Sequence, residues 1–317
     1  RQTDMTDNVV NLMISRIHGL SENVTHLLSL AACIGNRFDL ELLSIVCGKT
    51  LQETADVLFE ALREELVLPV DESYKYISIS PQSSVSGIVS EHGDLSPVYG
   101  FLHDRIQQAA YSLIEEKERL EVHLKIGREM LKTIPEEGIE EHIFDIVDHL
   151  NLGSRLITDE KEREELAQLN LLAGNKSKLS AAYNPALDYL KSGMGMLKEN
   201  CWQVQYELTL SLHEEAAEAA YLCGDFNEME AFTERVLQQT KTVLDKIKVY
   251  ELKIRVYESQ NKLLDAVNTG LHVLKLLGVN YSQKPSQLHV LFSYLRVKLA
   301  LLGKQPDVLI GLPEMTD

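Results

Sequence analysis

Phe101-Leu102-His103-Asp104-Arg105-Ile106-Gln107-Gln108-Ala109-Ala110-Tyr111 is the stretch on which the fold turns. Before it the apolar runs are short, and a segment rich in Ser, Gly and Pro intervenes at 80–97. After it nearly every segment has a helical period. The stretch starts as an extended apolar run, reaches His103 and Asp104, and continues amphipathically, with Phe101, Ile106 and Ala110 as core candidates. Asp104 suits an N-cap or a first-turn acid. His103 carries the side chain whose charge changes nearest to neutral pH. Taken alone, these residues read as a strand-to-helix junction with a polar cap.

Upstream, helical periods run over 4–18, 21–34, 39–47 and 51–65. Asp7 and Ser21 stand at cap positions, Gly19 and Gly48 at stops, and Thr50 with Glu53 at capping-box spacing. The texture then changes. Residues 66–70 and 98–102 read as the arms of a hairpin, with 74–79 as a neighbouring strand and 80–97 as a loop. Helices followed by a small hairpin describe a winged-helix domain with an N-terminal helix, expected over 1–104. The helix at 51–65 would be the one to enter a DNA groove. It carries Glu53, Asp56, Glu60, Glu64 and Glu65 against Arg63, the wrong sign for phosphate.

Downstream, helices are expected over 105–114, 117–133, 139–151 and 159–178, the last capped by Thr158 or Asp159. An internal repeat follows. Tyr183, Phe226 and Leu263 stand at equivalent inter-helix turns, 43 and 37 residues apart, with Ala186, Met229 and Ala266 three positions on. A helical hairpin cannot bury its apolar face alone, so such units stack into a solenoid. The expected architecture is mostly α: a winged-helix domain, then TPR-like antiparallel repeats over 105–317. A fourth unit begins at Gln287 and runs to Leu301 without its second helix, which suggests a piece of a longer protein.

The 317 residues carry a formal net charge of -17, a balance that repels nucleic acid. Cys33, Cys47, Cys201 and Cys223 are widely spaced and read as reduced, mostly buried thiols. No apolar run reaches membrane-spanning length and no signal-peptide pattern follows Arg1, so a cytoplasmic location without membrane insertion is expected. No Gly-x-x-x-x-Gly-Lys-Ser/Thr occurs, and Gly193-Met194-Gly195 falls inside a helical pattern, not after a strand. His142 and His149, seven apart with Asp145 and Asp148 near, read as an acidic helix face and not as metal ligands. His213-Glu214-Glu215 reads as helix surface, and Trp202 as packing between hairpins. Nothing in these residues supports catalysis, a metal or a resident cofactor.

The stretch 101–114 and the run Ala31-Ala32-Cys33-Ile34-Gly35-Asn36-Arg37-Phe38-Asp39-Leu40 resemble the winged-helix end of STAND-type AAA ATPase modules. Trp202-Gln203-Val204-Gln205-Tyr206-Glu207-Leu208-Thr209-Leu210 and Ala220-Tyr221-Leu222-Cys223-Gly224-Asp225-Phe226 resemble the helical region after that ATPase in large bacterial, cyanobacterial-type, multidomain serine/threonine and histidine sensor kinases. The resemblance spans essentially the whole chain. It implies ATP or ADP as the ligand of the parent protein and neighbouring domains of the same polypeptide as partners. In that family the His of a Met-His-Asp-like motif touches bound ADP. His103 and Asp104 match its last two positions, whereas Leu102 replaces Met. His103 is thus the implied nucleotide sensor, acting only with an upstream ATPase. The implied function is a non-catalytic segment relaying state between nucleotide-binding and output domains. The alternative is a scaffold that binds a separate protein or peptide on the concave repeat surface.

Overall fold

A computed structural model describes residues 10, 12–70, 96–281 and 286–301. Among them the chain is predominantly α-helical, with one small, open, three-stranded antiparallel sheet. It forms two compact units, residues 1–229 and 230–317.

Helix α1 (12–18) is followed by α2 (Glu22–Ile34), strand β1 (Arg37–Asp39), α3 (Leu40–Cys47) and α4 (Leu51–Arg63). Local chemistry sets these boundaries. Asp39 caps α3 by accepting from the Leu42 amide at 2.7 Å, and Gly48 ends that helix in the left-handed region at φ 66°. Thr50 and Glu53 form the full capping box that starts α4. Ser21 occupies the cap position of α2 but makes no cap bond; its hydroxyl instead donates to Glu60 Oε2 of α4 at 3.1 Å.

Strands β2 (Val67–Pro69) and β3 (Val98–Phe101) are the arms of the expected hairpin. The reading of 39–47 as helix alone missed β1, which pairs with β3 on its other side and gives the order β1-β3-β2. Three residues are too few to show a strand period. What fixes them is the pairing of Phe38 with Tyr99 and the packing of its ring 5.6 Å from that of Phe101. The expected strand at 74–79, the loop at 80–95, the Asp7 cap and everything after residue 301 lie outside the described residues.

Helix α5 (Asp104–Ser112) leaves β3 directly. His103, not Asp104, is its N-cap residue, and Asp104 is the first-turn acid. The core around the sheet continues past this junction: Phe38, Leu43, Leu58 and Val67 are buried in one apolar cluster with Ile106, Ala109, Ala110 and Ile126. Helix α6 (Glu116–Thr133), the short α7 (Glu136–Ile139) and α8 (Ile143–Gly153) follow. Helices α6 and α8 approach closely at two glycines. A Cβ on Gly127 would lie 2.7 Å from Leu150 Cγ, and one on Gly153 would lie 2.6 Å from Leu124 Cβ.

Three runs of two successive helices come next in the chain: α9 (Glu160–Leu179) then α10 (Tyr183–Met196); after α11 (Cys201–Val204), α12 (Tyr206–Cys223) then α13 (Phe226–Gln239); and α14 (Ile247–Ser259) then α15 (Leu263–Leu276). Each second helix has 14 residues and begins at Tyr183, Phe226 or Leu263. The three turns share one hydrogen-bond pattern. A left-handed residue stands two positions before each second helix: Ala181 at φ 57°, Gly224 at φ 80° and Asn261 at φ 57°. The next amide then reaches back five residues, from Ala182 to Ser177, from Asp225 to Ala220 and from Lys262 to Tyr257. Ala186, Met229 and Ala266 are all buried, as the repeat spacing requires. Helix α16 (Gln287–Ala300) completes the described chain.

Candidate functional site

A helix ends with carbonyls that have no partner within it, and a buried helix end must find them elsewhere. At the end of α2 a side chain from a later helix supplies a donor. Gln107 of α5 donates Nε2 to the Ala32 carbonyl at 3.2 Å. His149 of α8 lies near the carbonyl of Ile34, the last residue of α2, which favours its charged form. Lys125 of α6 does for α3 what Gln107 does for α2, donating to the Val46 carbonyl at 2.9 Å, where a cation also suits the helix dipole.

His149 belongs to a longer chain of polar groups. Its Nδ1 lies 2.8 Å from Nδ1 of His123 on α6, and His123 Nε2 lies 3.0 Å from the Tyr111 hydroxyl on α5. The Arg119 guanidinium sits over the Tyr111 ring, 4.5 Å from its centroid. His123 is 4% exposed. Burial pushes its pKa down to about 4, and the nearby His149 and Arg119 act in the same direction. Burial also lowers the pKa of His149, against the carboxylates of Asp145 and Asp148 and the Ile34 carbonyl, which favour its charged form. A cavity of about 420 Å³ lies beside His149, lined also by Ile34, Arg37, Phe38, Asp39 and Asp145. The chain therefore joins helices α5, α6 and α8.

Other polar links tie the successive helices. Asn151 of α8 and Asn170 of α9 exchange two amide bonds of 2.9 Å, and Asn170 is fully buried. Lys178 of α9 bonds both Glu215 and Glu218 of α12, the latter at 2.7 Å. These residues, with Asn175, Leu179 and Leu222, line a second cavity of about 410 Å³.

His103, the site residue expected from sequence, is exposed, and its Nδ1 accepts from the Arg105 amide at 3.4 Å. It stands eight residues before Tyr111 on the same helix, about 12 Å along the axis. His142 and His149 do not act together: His142 is exposed at the start of α8, whereas His149 turns inward to His123. Reading both as an acidic surface was therefore wrong for His149. His213 is likewise no free surface residue, since its ring packs 5.0 Å from that of Trp202, itself 8% exposed. Among the described residues no group of three or more His, Cys, Asp or Glu is arranged to hold a metal, and no helix is long and apolar enough to cross a membrane. The four cysteines are free; burial raises the pKa of Cys33 to about 12 and that of Cys47 to about 11, which keeps both as thiols. Sequence reasoning missed Tyr111, His123 and His149 as a group. Its available signal was histidines on the apolar side of two helical periods.

The chain is similar to the hybrid signal transduction histidine kinase G of Dictyostelium discoideum, at 26% identity over 278 residues. The match covers 76% of this chain and 8% of that protein, so the chain spans a small part of its relative's length. No protein-family profile matches the chain, and no solved structure matches it significantly.

Proposed function

We propose that this chain is a non-catalytic regulatory and interaction segment of a multidomain signal-transduction ATPase or kinase, passing state between a nucleotide-binding domain and an output domain. The observation that carries the reading is the polar chain from Tyr111 through His123 to His149. It couples α5, which leaves β3 directly, to α6 and α8, so a shift of the sheet has a path through α5 into the helices that follow. In this reading residues 1–104 act as a winged helix and 105–317 as TPR-like repeats. The β2–β3 hairpin after α4 supports the first, and the three matching turns support the second. The histidine-kinase relative supports the setting, and a cytoplasmic location belongs to the same proposal.

His103 is the proposed nucleotide sensor of the whole protein. Its exposure at the start of α5 leaves the ring available to an upstream ATPase carrying ATP or ADP. Calorimetry on the present chain should give nucleotide affinity weaker than micromolar, because the chain has no phosphate-binding loop. In the multidomain protein, His103→Ala should raise nucleotide exchange or basal output. Wild-type exchange and signalling in that variant would overturn the sensor role.

A second reading, a scaffold for a separate protein, draws on the cavity between α9 and α12. Leu179 on its rim is 89% exposed, and Lys178 faces two carboxylates within it. A partner seated there would be apolar with a basic group. Loss of binding on Leu179→Asp, with kinase output unchanged, would favour this reading over the relay.

A further inference from the structure

Strand β1 lies at one edge of the sheet, and its bonds to β3 use every second residue. The Phe101 amide donates to the Asn36 carbonyl and the Leu40 amide to the Pro97 carbonyl, each at 3.0 Å. Asn36, Phe38 and Leu40 are therefore the residues that face β3. Arg37 and Asp39 turn the other way. The N–H and C=O of Arg37 and the N–H of Asp39 point off the open edge, and among the described residues none of the three has a hydrogen-bond partner. Gly35 keeps this edge clear: its φ is 155°, and a Cβ on it would sit 3.4 Å from the Arg37 carbonyl oxygen.

The opposite edge is blunted. On β2 the Leu102 amide donates to Leu66 and the Val70 amide to Val98, which turns Val67 and Pro69 outward. Pro69 has no N–H to offer, and Val67 is fully buried. The sheet thus accepts a further strand at β1 alone.

The cavity of about 420 Å³ runs beside that edge. Ile34, Leu42 and Met130, all packed against the core that holds Phe38, form its apolar wall, and Asp145 of α8 is exposed on it. These neighbours dictate what fits. A strand laid antiparallel along β1 exchanges two bonds with Arg37 and accepts a third from the Asp39 N–H. Its middle residue, opposite Phe38, lies on the core face towards the apolar wall. Its two flanking residues lie on the outer face, opposite Asp39 and Arg37, where opposite charges pair favourably. In chain order the incoming residues are then basic, apolar and acidic.

We propose that the β1 edge is a docking site for an extended peptide strand of a partner protein, added antiparallel, with a basic–apolar–acidic sequence whose apolar side chain enters the cavity. This interface is independent of the relay reading and of the cavity between α9 and α12.

The blocked peptide Ac-Thr-Lys-Val-Glu-Thr-amide, titrated into this chain and followed by amide NMR, tests the edge. It should bind saturably with a Kd of about 1 mM or tighter. At about ten times the Kd, hydrogen exchange of the Arg37 and Asp39 amides should slow about tenfold, while that of Phe38, which faces β3, stays as it is. Methylating the nitrogen of the peptide's Glu, the donor to Arg37, should abolish binding. Methylating the nitrogen of its Val, which faces away from β1, should leave the Kd within about twofold. Arg37 is exposed, so Arg37→Glu keeps the fold; it should weaken the peptide about fivefold, and exchanging the peptide's Glu for Lys should restore the loss. Failure to saturate, binding without slowed exchange at Arg37 and Asp39, or equal tolerance of the two methyl groups would overturn the docking edge. Tighter binding of Ac-Thr-Glu-Val-Lys-Thr-amide would overturn the antiparallel register.

Discussion

His123 Nδ1 and His149 Nδ1 lie 2.8 Å apart although 26 residues separate them in sequence. The pair makes stability depend on pH with a definite sign. Unfolded His123 takes a proton near pH 6.5, whereas in the fold its pKa is held down to about 4. Between those values the unfolded state binds more protons, so stability is fully present above about pH 6.5 and falls as pH drops towards about 4. The expected loss across that window is about 2–3 kcal/mol, read as a falling urea midpoint. A flat midpoint from pH 6.5 to 4 would contradict the burial of a neutral ring.

Gly174 of α9 allows α10 to approach. A Cβ there would lie 2.6 Å from Leu190 Cγ and 3.3 Å from the Ala186 carbonyl, and both residues are fully buried. Gly174→Ala should therefore cost about 1–3 kcal/mol through overpacking. Gly195, with nothing within 4 Å, is the control, and its change to Ala should be neutral or slightly stabilising. Equal urea midpoints for the two variants would show that α9 and α10 are not packed at Gly174.

Ala181 adopts φ 57°, a conformation in which its Cβ is strained. The equivalent turn uses Gly224. Ala181→Gly should raise stability by about 1 kcal/mol, a gain few glycine substitutions give. Thermal denaturation measures it, and a lowered midpoint would mean that this turn is not left-handed.

Lys178 satisfies two carboxylates of α12 while only 12% of its side chain is exposed. Lys178→Met should cost about 2–4 kcal/mol, because it leaves Glu215 and Glu218 facing each other without the ammonium. Adding Glu215→Gln should recover part of that loss. A double variant no more stable than the single one would place the cost in packing instead of charge.

His103→Ala should leave this chain folded. The ring is exposed and makes a single long cap bond, so the expected cost is about 0.5–1 kcal/mol. Circular dichroism and a urea titration would show it; wholesale unfolding would make His103 a structural junction instead of a sensor.

Local physics was legible in the sequence wherever cause and effect lie within about five residues. The capping box of Thr50 and Glu53, the stop at Gly48, the hairpin arms flanking 71–95 and the start of each second helix at Tyr183, Phe226 and Leu263 all follow from period, cap chemistry and left-handed turns. These depend on neighbours along the chain, and the chain states its neighbours. Tertiary structure alone decided β1, whose three residues are strand only because β3 lies beside them. It also decided which polar groups meet. Tyr111 finds His123 at a separation of 12, His123 finds His149 at 26, and Lys178 finds Glu215 at 37 and Glu218 at 40. A histidine on a helical period reads the same whether it faces water or another histidine. The packing of α6 against α8, with its close approach at Gly127 and Gly153, and the Tyr111 side chain of α5 together enclose His123 and leave it facing Tyr111 and His149.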